Sequence, residues 1–215
     1  MREDTKAKRE ADIVAAAYAL LEARGFGGVS MLSIAKAAKA SNETLYRWYG
    51  DKAGLFLVLV ERNAAAARAL LEAALEPGQV DSAPLDVLAN LGPALLEIVT
   101  GPRAIALNRA AAADPTGALG RAIAQGGRET IAPLVAQVVM RADTGQQLGP
   151  DEHAAVVASY FNLLIGDLQI RRVIGVLGPL TAEDRQARSA RALDQILRLY
   201  PALAGQAAQT DAQRG

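Results

Sequence analysis

The stretch that decides the fold reads Ser30-Met31-Leu32-Ser33-Ile34-Ala35-Lys36-Ala37-Ala38-Lys39-Ala40-Ser41-Asn42-Glu43-Thr44-Leu45-Tyr46-Arg47-Trp48-Tyr49. Two serines stand where helices can begin, because a serine hydroxyl accepts from an early backbone amide that a helix start leaves without a partner. From Ser30 a short helix runs through about Ala38, with Ile34 and Ala35 inward, and from Ser41 a second runs through about Trp48. Lys39-Ala40-Ser41 is then the turn of a helix-turn-helix unit, and the small Ala35 and Ala38 let its helices cross closely. On the second helix Leu45 and Tyr49, four residues apart, point back to a core, while Asn42, Glu43, Thr44, Tyr46 and Arg47 face outward. A polar outer face beside open N-terminal amides suits phosphates and base edges.

Working outward, residues 6–24 place Ile13, Ala16, Ala17, Leu20 and Leu21 on one helical stripe that Gly25 stops. Asp51 can cap a long alanine-rich helix to about Leu75, ended by Pro77-Gly78. Beyond it, helical blocks run roughly over 83–100, 103–113, 116–143, 151–174 and 182–200, with Gly126-Gly127 kinking or dividing the third of these. Thr181 with Asp184 approximates a capping box for the last helix, and the tail from Ala202 reads as frayed. No alternating strand pattern survives. The expectation is an all-α chain of about nine helices. Residues 1–52 form a three-helix helix-turn-helix domain, the helix 51–75 connects, and 53–215 form a larger helical domain.

Composition excludes several classes. The chain has no cysteine, so disulfides, thiolate metal sites and cysteine nucleophiles are out. His153 stands alone, which excludes a multi-histidine metal site; near a helix start, it reads as solvent-exposed. No metal, no cofactor and no catalytic residues are expected, since no nucleophile–base pair or Gly-rich phosphate loop is present. Met1-Arg2-Glu3-Asp4 opens without an apolar stretch and no low-charge run approaches the ~18 apolar residues of a membrane helix, so neither a signal peptide nor a membrane association is expected. Lys+Arg and Asp+Glu balance at 23 each. That zero hides an asymmetry: residues 1–52 hold nine cations against seven acids and contain all five lysines, whereas every later cation is arginine. Either a coding bias favours arginine, or the N-terminal segment faces a different partner from the rest.

The run Ile34-Ala35, Ala37-Ala38, Ser41, Thr44-Leu45-Tyr46-Arg47-Trp48-Tyr49, Asp51-Lys52 and Leu55-Phe56 strongly resembles the TetR family of one-component repressors, specifically across residues 10–56 and topologically beyond. The resemblance implies that Tyr46, Trp48 and Lys52 contact phosphates, that Ser30 is a phosphate-contacting cap, and that Ser33, Asn42, Glu43, Thr44 and Arg47 face the major groove beside the Ser41 cap. Asn42 suits adenine and Arg47 suits guanine or a phosphate. Two positions depart from the family pattern. Lys39 stands where glycine is usual, so the turn is either strained or different. Glu43 stands at an often small position: it either accepts from cytosine N4 or is a plain first-turn acid favoured by the helix dipole. Lys6, Lys8 and Arg9 form either a loose arm over the DNA backbone or a solvated charge run.

In the larger domain, helix 151–174 reads as apolar on two opposite sides: Ala154, Val157, Phe161, Leu164, Ile165 and Leu168 on one; Val156, Leu163, Gly166, Ile170 and Ile174 on the other. With Ser189, Ala190, Leu193, Ile196, Leu197 and Tyr200 along helix 182–200, the second side suggests a four-helix homodimer interface, expected at Val156, Leu163, Gly166, Ile170, Leu193, Ile196, Leu197 and Tyr200. The resemblance also implies a small-molecule effector pocket among the middle helices. Asn108, Arg109, Tyr160, Phe161, Asn162 and Asp167, and beside them Gln169, are the polar or aromatic candidates, with an apolar or weakly polar effector preferred.

The expected function is therefore a cytoplasmic homodimeric regulator that binds double-stranded operator DNA, most simply a repressor released by a small molecule. The rivals are a helical ligand-binding or enzyme module, and a protein-interaction scaffold, neither of which binds DNA.

Overall fold

The computed structural model describes residues 3–76 and 83–204. Every regular element among them is helical: α1 (Glu3–Arg24), α2 (Met31–Ala37), α3 (Asn42–Tyr49), α4 (Lys52–Leu75), α5 (Pro84–Thr100), α6 (Pro102–Ala112), α7 (Ala118–Gly126), α8 (Arg128–Ala142), α9 (Pro150–Ile165), α10 (Leu168–Val173) and α11 (Ala182–Leu199), followed by a 3-10 turn at Pro201–Ala204. Several helix starts sit where capping chemistry puts them. The Asp51 carboxylate accepts the Gly54 amide at 2.8 Å at the start of α4. Thr181 and Asp184 close a reciprocal capping box on α11. The Pro77-Gly78 break lies outside the described residues.

Two blocks that read as single helices are each broken at glycine. The block 116–143 becomes α7 and α8, divided at Gly127, and the block 151–174 becomes α9 and α10. Gly166 ends α9 with φ +50, a left-handed conformation that a side chain makes costly. The break takes Ile170 and Ile174 off α9, and the buried residues left on α9 form one arc, which corrects the two-sided reading. Val156, Val157, Tyr160, Phe161 and Leu164 all lie buried in one core. Ala154 is exposed instead of inward.

The helices sort into two compact units, Met1–Ala65 with Gly101–Arg128, and Ala66–Thr100 with Glu129–Gly215. This is not the division at residue 52. The first unit takes in α6 and α7 because Ala106, Leu107, Ala110, Leu119 and Ala122 join Ile13, Leu45, Leu55 and Phe56 in one apolar core. Burying such side chains stabilises by about 1.5–3 kcal/mol for each large one.

The second unit is centred on α5, α9 and α11. Here α5 and α11 approach at Gly92: a Cβ there would lie 2.0 Å from Ser189 Oγ and 2.8 Å from Ser189 Cβ, so no side chain fits. Arginines close the helix ends of this unit. Arg141 donates to the carbonyls of Ala74 and Leu75, Arg172 Nε to Thr100 O, and Arg188 Nε to Leu164 O. A planar guanidinium suits this work, since its fixed fork of donors meets carbonyls that a helix C-terminus leaves open.

His153 is not solvent-exposed: its side chain is 15% accessible and its Nε2 lies 3.2 Å from the carboxylate of buried Asp143. Asp143 also accepts the Gln147 and Leu148 amides, which hold its carboxyl below the usual carboxylate range. The expected frayed tail is ordered through residue 204, because Leu203 is buried in the second core. The remainder of the tail lies outside the described residues.

Candidate nucleic-acid interface

Three hydrogen-bonded devices shape the helix-turn-helix. At its start, the Ser33 amide donates to Ser30 Oγ at 3.1 Å while the Ser30 amide donates to Ser33 Oγ at 3.0 Å, a reciprocal cap on α2. At the turn, the Ala40 amide reaches Ala35 O at 2.9 Å and the Lys39 amide reaches Lys36 O at 3.3 Å. This is a Schellman closure, which places its left-handed residue at Lys39, with φ +51. Of the two possibilities left by the missing glycine, the turn keeps its shape and carries the strain. At the start of α3, the Thr44 amide donates to Ser41 Oγ at 3.1 Å.

Those caps hold α3 so that Leu45 and Tyr49 are buried and the opposite face is open. Ser41, Asn42, Glu43, Tyr46 and Arg47 are exposed, Tyr46 by half of its surface, and Thr44 and Trp48 are partly covered. The Trp48 ring stands edge-on to Tyr49, with the Lys6 ammonium 5.9 Å from its centroid. Lys6, Lys8 and Arg9 belong to α1, which is helical from Glu3, so they form no loose arm. Ser33 differs from its expected role: its hydroxyl also donates to Ser30 O at 2.7 Å and is engaged within the α2 cap. Beside it, Leu32 is 51% exposed on the first turn of α2, an apolar group that inward-facing Met31, Ile34 and Ala35 imply by helical spacing and that the sequence reading passed over.

Lys52 departs most from expectation. Its ammonium donates to the carbonyls of Phe26 at 3.0 Å and Val29 at 3.1 Å, and lies 3.9 Å from the centroid of the Phe26 ring. The cation expected on a phosphate is turned onto the segment between α1 and α2. Behind the face, Tyr18 donates to Leu59 O across the core, and burial pushes its hydroxyl up to about 12. Tyr49 is likewise pushed up to about 12, by burial and by the nearby Glu10 carboxylate, and its hydroxyl is buried without a hydrogen-bond partner.

Residues 13–59 match the family model described as bacterial regulatory proteins, tetR family. Residues 86–202, more than half of the chain, match the C-terminal domain of AefR-like transcriptional repressors. The chain belongs to the TetR family. It is a DNA-binding transcriptional regulator. No curated protein sequence matches it significantly. Solved structures share the fold. A TetR transcriptional regulator from Agrobacterium tumefaciens is 26% identical with a TM-score of 0.67, over 89% of this chain and 94% of that one. A TetR-family regulator from Mesorhizobium loti MAFF303099 is 20% identical with a TM-score of 0.71, over 90% and 96%. SmeT in complex with triclosan is 18% identical with a TM-score of 0.71, over 89% and 91%.

The regulator uses several of its expected effector residues for its own structure. Tyr160 is fully buried and its hydroxyl donates to Leu88 O at 2.8 Å. Asn108, on α6 in the first unit, donates back to Ala104 O at 2.9 Å. Phe161 is buried 6.1 Å from the Tyr160 ring, whereas Asn162 and Arg109 lie at the surface. Asp167 is exposed and 3.9 Å from Arg171, and Gln169 donates to Val99 O at 3.0 Å. Two expected dimer residues need correction as well. Val156 and Ile196 are fully buried within the second unit's own core and have no surface to offer a second copy. Leu163, Leu193, Leu197 and Tyr200 are partly covered, and Gly166 and Ile170 are exposed. Among the described residues no helix is long and apolar enough to cross a membrane.

Proposed function

We propose that this regulator is a cytoplasmic, homodimeric repressor whose α3 enters the major groove of operator DNA, and which a small molecule releases. The observation that carries the reading is the open face of α3. A short helix capped by Ser41 presents Asn42, Glu43, Thr44, Tyr46 and Arg47 while Leu45 and Tyr49 anchor its back. Phosphates are contacted by Tyr46, Trp48 and the capped start of α2 at Ser30, and base edges by Asn42 and Arg47. Residues 1–52 act as the reader and 53–215 as the regulatory part, whatever the packing units. The homodimer uses the accessible members of the expected surface: Leu163, Gly166, Ile170, Leu193, Leu197 and Tyr200. Two readers are needed because half-sites lie about one DNA turn apart.

The effector we assign is apolar or weakly polar. Among the described residues the second unit's buried polar side chains, Thr100, Asp143 and Ser189, all have partners within the unit. A strongly polar guest would find little to pair with there. SmeT, solved with triclosan, shows that this fold accepts a small molecule in that protein. The effector acts only through its different affinity for the DNA-competent and released conformations.

A gel shift with the DNA upstream of the chain's own gene tests the reading. A retarded band, competed by the same fragment and not by random duplex, is expected. Absence of binding at low salt would remove the repressor reading, and a monomer by light scattering would remove the dimer.

A further inference from the structure

We propose that Lys52 serves DNA binding as a positioning residue, clamping the segment between α1 and α2 so that α2 starts in the register docking requires, and that it is not a phosphate ligand. The proposal rests on the DNA-binding reading above. An ammonium has three donors. Two of them meet Phe26 O at 3.0 Å and Val29 O at 3.1 Å, and the Phe26 ring covers a further side at 3.9 Å. The side chain is partly buried, among Phe26, Val29, Ile34, Leu55 and Phe56.

The two carbonyls belong to the residues that lead into Ser30, the N-cap of α2. Val29 itself is 4% exposed, so the segment is held on one side by its apolar side chain and on the other by the Lys52 charge. Phe26 is in turn set edge-on against Phe56 of α4, 5.7 Å between centroids. Turning Nζ outward to a phosphate would take the Lys52 donor from Val29 O, leave Phe26 O with only the Val29 amide at 3.3 Å, and empty the ring face. A compact point charge on a flexible stem suits a clamp that must fit between converging carbonyls. The exposed cations Lys36 and Lys39 are left to meet the DNA backbone.

The test uses the full-length protein with Lys52→Met, the fragment upstream of its own gene, and a random duplex of equal length. Affinity is measured across about 50–200 mM salt, where each phosphate contact contributes a slope of about 0.9 in log K against log salt. The clamp predicts that Lys52→Met weakens binding to the upstream fragment about tenfold or more with the slope unchanged. It also predicts that trypsin cuts after Arg24 faster in the variant, because residues 25–29 are released. A slope lowered by about 0.9 per reader, with wild-type cleavage at Arg24, would overturn it.

A second measurement needs no variant to be well folded in bulk. With only five lysines in the chain, side-chain ammonium NMR of 15N-lysine protein resolves Lys52, identified by its loss in Lys52→Met or by its contacts to the Phe26 ring. Slow exchange in the free protein and an unmoved resonance on adding DNA are expected; fast exchange, or a large shift on DNA, sinks the clamp. If the wild type binds neither duplex, the DNA-binding reading fails. The cleavage and exchange results in free protein then still decide whether Lys52 is a clamp.

Discussion

Tyr46 in α3 and Tyr160 in α9 look alike in the sequence: each is an aromatic with one polar and one apolar neighbour inside an amphipathic helix, and each read as a site residue. The fold treats them oppositely. Tyr46 is half exposed on a helix of eight residues covered from one side, whereas Tyr160 is sealed between α9 and α5 and donates to Leu88 O. The same contrast runs through the polar chemistry of both regions. On the reader, Asn42, Tyr46 and Arg47 keep their polar atoms at the surface. In the second unit Arg141, Arg172 and Arg188 turn theirs onto helix-end carbonyls. A polar or aromatic group becomes available for function when packing covers only one side of its helix.

The sharpest way to break that comparison is Tyr160→Ala. Truncating it should destabilise the second unit by about 3–5 kcal/mol, through the cavity and the lost buried hydrogen bond to Leu88 O, visible as a lowered Tm. A stable Tyr160→Ala protein with altered effector response would return Tyr160 to the effector site. Gly92→Ala should cost about 2–3 kcal/mol in the same thermal assay, because its methyl meets Ser189 and α5 cannot close on α11. Tyr46→Ala should do the reverse of Tyr160→Ala: operator affinity falls about tenfold in a gel shift while Tm holds, since little burial is lost. Retained affinity would detach Tyr46 from the interface. The smallest effect is expected at the turn. Lys39→Gly relieves a positive φ and should stabilise the first unit by up to about 1 kcal/mol. If DNA affinity falls as well, the Lys39 charge contributes to docking.

Much of the first region was legible in advance because its determinants are local. Ser30, Ser41 and Asp51 cap helices through hydrogen bonds that span three residues, and the Schellman turn spans six. Its missing glycine was legible too, as a question that only φ at Lys39 answered. The partners of Ser33 were within reach of the same local reasoning, since a serine three residues after a serine cap can close the box itself.

Lys52 was not legible. Its partners lie 23 and 26 residues away and are backbone carbonyls, which leave no trace in side-chain identity. His153 and Asp143 illustrate the same point at closer range, because the loop between α8 and α9 folds back to bring them together. The asymmetry between lysine and arginine was visible as a fact and not as a cause. The structure gives a role to three of the later arginines, Arg141, Arg172 and Arg188, which serve as helix-end caps in the second unit.

By itself, then, the sequence determined the all-helical class, the caps and the turn of the reader, and the family, because these depend on residue spacing of a few positions. The tertiary structure decided how helices group into units, where glycine interrupts an apolar stripe, which face of α9 is core, and where the Lys52 charge goes. Those outcomes depend on contacts between residues far apart in the chain, whose energies come from burial and from backbone groups that every residue carries alike.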